Sequence, residues 1–369
     1  MTGAARIPVS TGSAAYEVVV GAGLLATVGE SVAGVSGARR CALVSDANVS
    51  ALFGDAVNAS LQDAGFEVAA ITVPAGEGSK SWESAGQVLE RLADAGLDRT
   101  GLVVALGGGV VGDLAGFCAA TYLRGVDYVQ LPTTLLAQVD SSVGGKTGVD
   151  LKAGKNLAGS FKQPLLVLAD TDALATLPEL EWQSGLAEVA KVAMLTGPGQ
   201  VEWMTERADA LAARVPDPVR AAVIAAIGHK AGVVAADERE SGVRESLNYG
   251  HTLGHAIEKV AGYGVVAHGV AVAEGMRFAA RLASRLLDAP AATGEAQDAM
   301  LGALGIDRAT YPADIGGLMA AMRSDKKARS GIVRFALVPE PGRYLAVPVT
   351  DDVLERELRA WIDTPDEKG

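Results

Sequence analysis

The sequence is poor in cysteine and aromatic residues and has no excess of basic residues, and each shortage excludes a class of protein. The two cysteines, Cys41 and Cys118, each lie in an apolar run, which predicts buried free thiols rather than a disulfide. Aromatic residues make up 5% of the 369 residues, which favours packing of small apolar side chains over aromatic recognition surfaces. The net charge of -12 argues against nonspecific binding to nucleic acid or to an anionic membrane.

The sequence also lacks the segments that direct a chain into or across a membrane. Residues 1–8 contain no basic region followed by an apolar core. We find no segment with the apolar length that a bilayer span needs. We therefore expect a soluble cytoplasmic protein.

The length and the 49% hydrophobic content predict two domains with ample core material. Apolar runs predict strands at residues 16–21, 40–45, 66–73, 101–106, 126–131 and 165–170, with helices over 49–64 and 82–95. Strands that alternate with helices imply a parallel sheet covered on both faces. After Pro178 the pattern predicts helices over 179–194, 199–214, 219–236, 252–260, 268–287 and 291–304, then strands over 332–338 and 344–349 and a helix from Asp352.

We therefore expect the fold class α/β plus all-α. Residues 1–178 are predicted to form an N-terminal Rossmann-like, parallel-sheet nucleotide-binding domain. Residues 179–369 are predicted to form a C-terminal, mostly helical metal- and substrate-binding domain.

A glycine-rich turn follows the predicted strand at 101–106. Gly107, Gly109 and Gly112 have the spacing G-x-G-x-x-G, which lets the backbone approach a pyrophosphate at a helix N-terminus. The turn follows a middle strand, and Asp127, the acidic residue near the ribose spacing, begins a strand instead of ending one. A tight turn for helix packing therefore remains the alternative to a nucleotide or phosphate site.

The segment from residue 132 to 156 is rich in glycine and polar residues, which predicts a long loop. It contains Thr133, Asp140, Lys146, Lys155 and Asn156. These side chains suit the lining of a site for a polyhydroxylated anion, and the small residues among them suit a close approach of backbone. The alternative is a flexible, solvated loop.

Three of the four histidines of the chain lie between Arg244 and Gly269. His251 and His255 are four residues apart and share a helix face, so they could hold a divalent metal. The residues between them include no glutamate, which excludes the zincin metalloprotease motif. Two core histidines with satisfied hydrogen bonds are the alternative.

Glu188 lies in a mostly apolar predicted helix, three residues before Lys191. A buried carboxylate is costly unless it is paired or bound to a metal. It could form an internal ion pair with Lys191, or it could complete a zinc site of two histidines and one carboxylate with an open position.

Taken together, these stretches resemble the 3-dehydroquinate synthases, a family of sugar-phosphate cyclases. The resemblance covers most of the chain, in the same order, and is carried by residues 107–113, 121–125, 131–135, 138–148, 154–156, 187–191, 237–240, 244–258 and 325–327. It implies catalytic use of NAD and a divalent metal, normally zinc, with cobalt as a possible substitute. The implied reaction converts 3-deoxy-D-arabino-heptulosonate 7-phosphate into 3-dehydroquinate and phosphate in the shikimate pathway, in a homodimer.

The resemblance also assigns residues to roles. The metal ligands would be Glu188, His251 and His268, with His255 in proton transfer, Glu240 as a further acid or base, and Lys146, Arg244 and Asn248 among the catalytic residues. Substrate contacts would come from Arg124, Asp140, Lys146, Asn156, Lys191, Lys230, Arg244, Asn248 and one or both of Lys326 and Lys327. NAD contacts would come from Asp46, Asn48, Glu77, Lys80, Gly108, Gly109, Val110, Asp113, Thr133, Thr134, Lys155 and Thr176. His229 matches no role and is interpreted as structural.

The sequence departs from the family pattern at one position beside a predicted ligand. The family commonly has His-Gly-Glu where this chain has His268-Gly269-Val270. A carboxylate that orients the histidine would then be missing, which would lower metal affinity.

Three rivals remain: a sister cyclase that makes an inosose, a valiolone or an aminodehydroquinate, a metal-dependent polyol dehydrogenase, and an inactive NAD-binding regulator. The set of Arg124, Lys146, Asn156, Lys230 and Arg244 favours the shikimate-pathway substrate over that of a sister cyclase. A polyol dehydrogenase would release NADH and would need no set of phosphate-binding lysines, and the intact glutamate and histidine set argues against an inactive regulator.

Overall fold

The computed structural model describes residues 3–324 and 332–363, which divide into two compact units. The first unit comprises the chain up to Pro178 together with Val219–Glu238. The second comprises Glu179–Pro218 and the chain from Arg239 onward. This grouping differs from the predicted boundaries, which leave the helix at 219–236 in the C-terminal domain.

The first unit is built on a seven-stranded sheet. Its strands and those of a separate hairpin are β1 (Ala5–Ser10), β2 (Ala15–Gly21), β3 (Arg40–Asp46), β4 (Glu67–Val73), β5 (Leu102–Gly107), β6 (Asp127–Pro132), β7 (Lys146–Leu151), β8 (Gly154–Phe161) and β9 (Leu166–Asp170). The sheet has the order β1-β2-β9-β6-β5-β3-β4, and all neighbours are parallel except β1 and β2. The predicted parallel sheet is confirmed, and β1 is an additional edge strand that the pattern did not predict.

Helices cover both faces of this sheet. They are α1 (Val28–Ala33), α2 (Ala47–Val49), α3 (Asp55–Asp63), α4 (Trp82–Asp94) and α5 (Gly109–Thr121). Cys41 and Leu43 of β3 pack with α1 and α3, whereas Ala42 and Val44 pack with α4 and α5. Because both faces of the strand are buried, the strand is a continuous apolar run rather than an alternating one. Both cysteines are buried free thiols, as predicted.

The predicted loop at 132–156 is wrong over its second half. Strands β7 and β8 form an antiparallel hairpin, with Lys146 opposite Phe161 and Val149 opposite Ala158. Gly148 and Gly159 lie where the two strands approach most closely, since a Cβ on Gly159 would be 2.5 Å from the carbonyl oxygen of Thr147. Glycine and polar residues therefore form strands here because they allow close pairing and because much of the hairpin is exposed.

The second unit is mostly helical. Numbered in chain order, the remaining helices are α6 (Glu179–Thr196), α7 (Pro198–Glu206), α8 (Ala208–Ala212), α9 (Pro216–Ala236), α10 (His251–Ala261), α11 (His268–Leu287), α12 (Ala291–Ala303), α13 (Ile315–Ser324) and α14 (Asp351–Ile362). Of these, α9 contributes mainly to the first unit. The predicted helix at 199–214 is divided into α7 and α8, and α13 was not predicted. Strands β10 (Val333–Glu340) and β11 (Arg343–Val349) pair antiparallel, as expected.

Helix α9 is long and apolar enough, by length and composition, to cross a membrane, so the expectation that no segment reaches that length is wrong. Its apolar side chains, including Val219, Val223 and Ile227, are nevertheless buried within the protein. It also carries the buried Lys230, whose ammonium group is paired with Asp140. A core helix of a globular protein can have this length and apolar composition, and the contacts of α9 are those of a core helix.

Candidate active site

The predicted metal ligands lie on three helices that glycine residues bring into close contact. A Cβ on Gly275 of α11 would be 1.8 Å from the carbonyl oxygen of Gly250, the residue that precedes α10. A Cβ on Gly269 would be 2.2 Å from the carbonyl oxygen of Ser184 in α6. The hydroxyl of Ser184 also accepts a hydrogen bond of 2.8 Å from the Gly269 N–H. A methyl group at either position would push two helices apart, so glycine is required for the helices to meet.

This packing brings Glu188 of α6, His251 of α10 and His268 of α11 together. The Glu188 Oε1 atom is 3.5 Å from His251 Nε2 and 3.5 Å from His268 Nε2. Ligand atoms about 2.1 Å from a tetrahedral zinc ion are themselves about 3.4 Å apart. Two imidazole nitrogens and a carboxylate oxygen at these separations therefore fit a divalent metal such as zinc.

The charges around these residues favour a cation. Glu188 is 1% exposed, and its Oε2 atom lies 2.5 Å from the ammonium nitrogen of Lys191, one turn along α6. Burial would lower the pKa of His268, but the neighbouring carboxylates of Glu188 and Glu258 outweigh it and raise the pKa to about 10. The two carboxylates thus give this part of the second unit an affinity for positive charge. The predicted ion pair of Glu188 with Lys191 is therefore present, and the role of Glu188 as a metal ligand stays a prediction that its approach to the two histidines supports.

The far sides of both imidazole rings contact groups that the sequence analysis did not single out. The His251 Nδ1 atom is 3.1 Å from the carbonyl oxygen of Tyr249, and the His268 Nδ1 atom is 3.0 Å from Glu258 Oε2. Glu258 lies seven residues after His251, two turns along the same face of α10. That spacing is a signal in the sequence that could have pointed to it.

His255 lies beside the cluster without belonging to the set of Glu188, His251 and His268. Its ring centroid is 5.2 Å from that of His251 and 5.9 Å from that of His268. A second possible group of ligands consists of His255, Glu258 and His268. The geometry is therefore compatible with His255 as a metal ligand and with His255 as a proton carrier. Only the resemblance assigns it to proton transfer.

The other predicted residues of the second unit lie near the start of α10. Arg244 is buried in a 3-10 turn, Val243–Asn248, that leads to the helix. The Asn248 Nδ2 atom donates a hydrogen bond of 2.7 Å to Glu240 Oε1, which joins two of the predicted catalytic residues. Lys326 and Lys327 lie outside the described residues.

The residues predicted to bind NAD lie mainly where the parallel strands of the first unit end. Asp46 is the last residue of β3, and its Oδ1 atom accepts hydrogen bonds from the N–H groups of Asn48 and Val49. The other members follow β4 (Glu77, Lys80), β5 (Gly108, Gly109, Val110, Asp113), β6 (Thr133, Thr134) and β9 (Thr176), whereas Lys155 is on β8. Parallel strands end at one edge, so these residues gather there. The strand order reverses between β3 and β5, and ligands of open α/β sheets bind at such a reversal.

Some glycines of the G-x-G-x-x-G turn serve packing. A Cβ on Gly107 would be 2.6 Å from Val111, and one on Gly112 would be 2.7 Å from the Gln130 side chain. The packing interpretation therefore holds for these two positions. The hydroxyl of Thr133 is buried and has no hydrogen-bond partner in the described part of the chain, so a bound ligand could supply one.

Three ion pairs connect the predicted binding residues of the first unit. The Lys80 Nζ atom is 2.5 Å from Asp113 Oδ2, and Lys155 Nζ is 3.2 Å from Glu77 Oε1. Burial opposes the charge on Lys80, but the attraction of Asp113 outweighs it and raises the pKa of Lys80. The first pair links the segment after β4 to α5, and the second links the same segment to the hairpin.

The third pair joins two predicted substrate-binding residues. Lys230 Nζ is hydrogen-bonded to the Asp140 carboxylate and lies 2.5 Å from the Asp140 carbonyl oxygen. Asp140 is in a π-helical turn, Ala137–Ser141. Lys146, Asn156 and Arg124 are exposed, and the last two have left-handed backbone conformations, with φ of 55° and 69°.

Solved structures of similar fold define the class of the protein. The chain matches 2-deoxy-scyllo-inosose synthase complexed with carbaglucose-6-phosphate, NAD⁺ and Co²⁺ with a TM-score of 0.88 at 25% identity, covering 96% of this chain and 100% of the other. It matches 2-epi-5-epi-valiolone synthase from Streptomyces hygroscopicus with NAD⁺ and Zn²⁺ bound with a TM-score of 0.86 at 27% identity, covering 96% and 97%. The fold is that of the sugar-phosphate cyclases.

Sequence comparison resolves the family within that class. Family profiles described as 3-dehydroquinate synthase N-terminal and C-terminal match residues 70–184 and 185–328. The 3-dehydroquinate synthase of Caulobacter vibrioides is 46% identical over 363 residues, which cover 96% of this chain and 97% of the relative. The chain belongs to the 3-dehydroquinate synthase family, and the predicted family is confirmed.

Proposed function

We propose that the chain converts 3-deoxy-D-arabino-heptulosonate 7-phosphate into 3-dehydroquinate and phosphate, with NAD and a divalent metal as cofactors. The observation that carries this proposal is the convergence of Glu188, His251 and His268 in a chain of this family. Their separations of 3.5 Å suit a metal with an open coordination position. The reaction is that of a carbon–oxygen lyase of the shikimate pathway.

Glu188, His251 and His268 would hold the metal, most suitably zinc. When bound, the metal supplies a Lewis acid that polarises the substrate hydroxyl to be oxidised. The relatives of similar fold were solved with Co²⁺ or Zn²⁺, which supports this choice of metals.

The residues at the carboxyl edge of the sheet would bind NAD, which supplies transient oxidation by accepting a hydride and returning it. Gly108 and Gly109 begin α5, so free N–H groups and the positive end of the helix dipole face that edge. The buried Thr133 hydroxyl would gain a hydrogen-bond partner there. Lys80, held by Asp113, would keep its charge for a phosphate.

The basic residues would bind the carboxylate and phosphate of the substrate. Lys230 is held by both the side chain and the main chain of Asp140, so its ammonium group is positioned before substrate arrives. In the first unit Arg124, Lys146 and Asn156 would add contacts, and in the second unit Lys191, Arg244 and Asn248 would do so, with Lys326 and Lys327. Charge-assisted hydrogen bonds of this kind offset the charge of the substrate.

His255 would move a proton to or from the substrate, with Glu240 as a further acid or base. His255 is close enough to the metal ligands for this role. Glu240 accepts a hydrogen bond from Asn248, which fixes the direction of its carboxylate. We also propose that the protein is a homodimer in the cytoplasm and that the domain boundary is at residues 178–179. Sedimentation equilibrium of the purified chain would test the dimer.

The function is tested by measuring phosphate release from the heptulosonate 7-phosphate with catalytic NAD and zinc, while absorbance reports any NADH. Release of one phosphate per substrate, without accumulation of NADH and abolished by a chelator, is the expected result. Accumulation of NADH without phosphate release would indicate a polyol dehydrogenase instead. Absence of both signals would point to a sister cyclase with another sugar phosphate, and parallel assays with hexose and heptose phosphates would identify it.

A further inference from the structure

Glu258 has no role in the function proposed above, yet it is one of the most deeply buried carboxylates of the second unit. It is 3% exposed and lies on α10, two turns after His251. A buried carboxylate requires a partner, because removing its charge from water is costly. A partner of Glu258 is His268, whose Nδ1 atom is 3.0 Å from the Glu258 Oε2 atom.

The direction of this contact follows from the chemistry of the two rings. In His251 the Nδ1 atom faces a carbonyl oxygen, which can only accept, so that nitrogen carries the proton and Nε2 presents a lone pair. In His268 the Nδ1 atom faces a carboxylate, which accepts in the same way when ionised. With a metal bound, both Nε2 atoms would present their lone pairs to it, on the side where the Glu188 Oε1 atom lies 3.5 Å from each.

We propose that Glu258 is a positioning residue that holds His268 in the orientation and tautomer that bind the metal. The inference rests on the proposed metal site and extends it by one carboxylate. The carboxylate beside the His268 Nδ1 atom therefore comes from α10, whereas Val270, two residues after His268, supplies none. A carboxylate behind a ligating histidine raises the basicity of that ligand, and its loss typically costs about 10- to 100-fold in metal affinity.

A different role for the same residue is that of a direct ligand, in a group with His255 and His268. The contact of 3.0 Å has the length of an N–H···O hydrogen bond. An imidazole that uses Nδ1 for a metal would turn its Nε2–H toward Glu188, which removes His268 from the group with Glu188 and His251. The hydrogen-bonding role keeps His268 in that group, whose separations fit a metal, and it is therefore preferred.

The test measures zinc affinity of the full-length chain in the absence of substrate and NAD, by competition with a chromophoric chelator. We expect Glu258→Ala to lose about 10- to 100-fold in zinc affinity. Glu258→Gln should lose less, because its amide oxygen still accepts the Nδ1–H proton of His268 but carries no charge. Both variants should still bind one zinc per chain at saturation, and with Co²⁺ both should keep the visible absorption of the wild-type site.

A matched control separates this role from a general effect on folding. Glu357 on α14 is similarly buried and pairs with Arg281 and Arg356 rather than with the histidines. Glu357→Gln should lower the denaturant midpoint while leaving zinc affinity within about twofold of the wild type. If Glu258→Ala does not fold, the isosteric Glu258→Gln alone provides the comparison.

Several results would overturn the proposal. The positioning role would be refuted if both folded Glu258 variants bound zinc with wild-type affinity. It would also be refuted if Glu357→Gln lost as much zinc affinity as they do. Loss of stoichiometric binding at saturation, or a changed Co²⁺ spectrum, would make Glu258 a ligand. The zinc assay contains no substrate, so its result is independent of the phosphate assay. If the Glu258 variants lose zinc affinity as expected but the wild-type chain releases no phosphate, only the proposed reaction is refuted. If the wild-type chain releases phosphate but the Glu258 variants bind zinc normally, only the positioning role is refuted.

Discussion

A single methyl group at Gly275 would separate the two helices that carry the histidines. In Gly275→Ala the new Cβ would lie 1.8 Å from the Gly250 carbonyl oxygen, and protein structures essentially never show such a contact below 3.0 Å. The oxygen must therefore retreat by at least 1.2 Å, the difference between these two distances. Gly250 immediately precedes His251, so the displacement is transmitted directly to a metal ligand.

The expected cost has two parts. Overpacking of this kind lowers the free energy of unfolding by about 1 to 3 kcal/mol. A displacement of about 1 Å in a catalytic group lowers turnover by about 100-fold. We expect the 3.5 Å separation between His251 Nε2 and Glu188 Oε1 to grow, with a loss of zinc affinity as its direct readout.

The same substitution at Gly228 is the control. Gly228 is in the middle of α9, and a Cβ there would meet nothing within 4 Å. Gly228→Ala should stabilise the protein by about 0.5 to 1 kcal/mol through helix propensity and leave zinc affinity unchanged. Denaturant unfolding and chelator competition measure both variants. If Gly275→Ala behaved like Gly228→Ala in both assays, the view that close helix contact assembles the ligand cluster would be wrong.

Three further perturbations test other parts of the site. His255→Ala should lower turnover by about 100- to 10,000-fold while zinc content stays at the wild-type level, because a proton carrier is lost and no ligand is; stoichiometric loss of zinc would make His255 a ligand. Lys80→Ala should destabilise the protein by about 3 kcal/mol in urea unfolding, because Asp113 is left buried without its partner; Lys80→Met combined with Asp113→Asn should recover much of this, and failure to recover it would show that the loss lies elsewhere. Removal of zinc should lower stability by about 2.7 kcal/mol relative to a zinc concentration 100 times its Kd; a thermal midpoint that does not depend on zinc would contradict a metal site in the folded protein.

The parallel sheet could be predicted from the sequence because its signals are local. Strands β3 and β5 are buried on both faces, so their composition alone marks them as apolar runs. The carboxyl-edge position of Asp46 and Gly108 then follows from the parallel topology without further information. The hairpin β7–β8 escaped prediction because β8 is largely exposed and both strands contain glycine, so they lack both an apolar run and an alternating pattern.

The sequence by itself determined the donor types and their helical spacing, as in His251, His255 and Glu258 on one face of α10. It also determined, through its likeness to a family, which of them were candidates for the metal. Only the tertiary structure decided that Glu188 lies 3.5 Å from both His251 and His268, that Glu258 contacts the other ring nitrogen of His268, and that α9 joins the first unit. The physical reason is that these contacts join residues from different helices. Their approach depends on backbone contacts at Gly269 and Gly275, which no local pattern of side chains encodes.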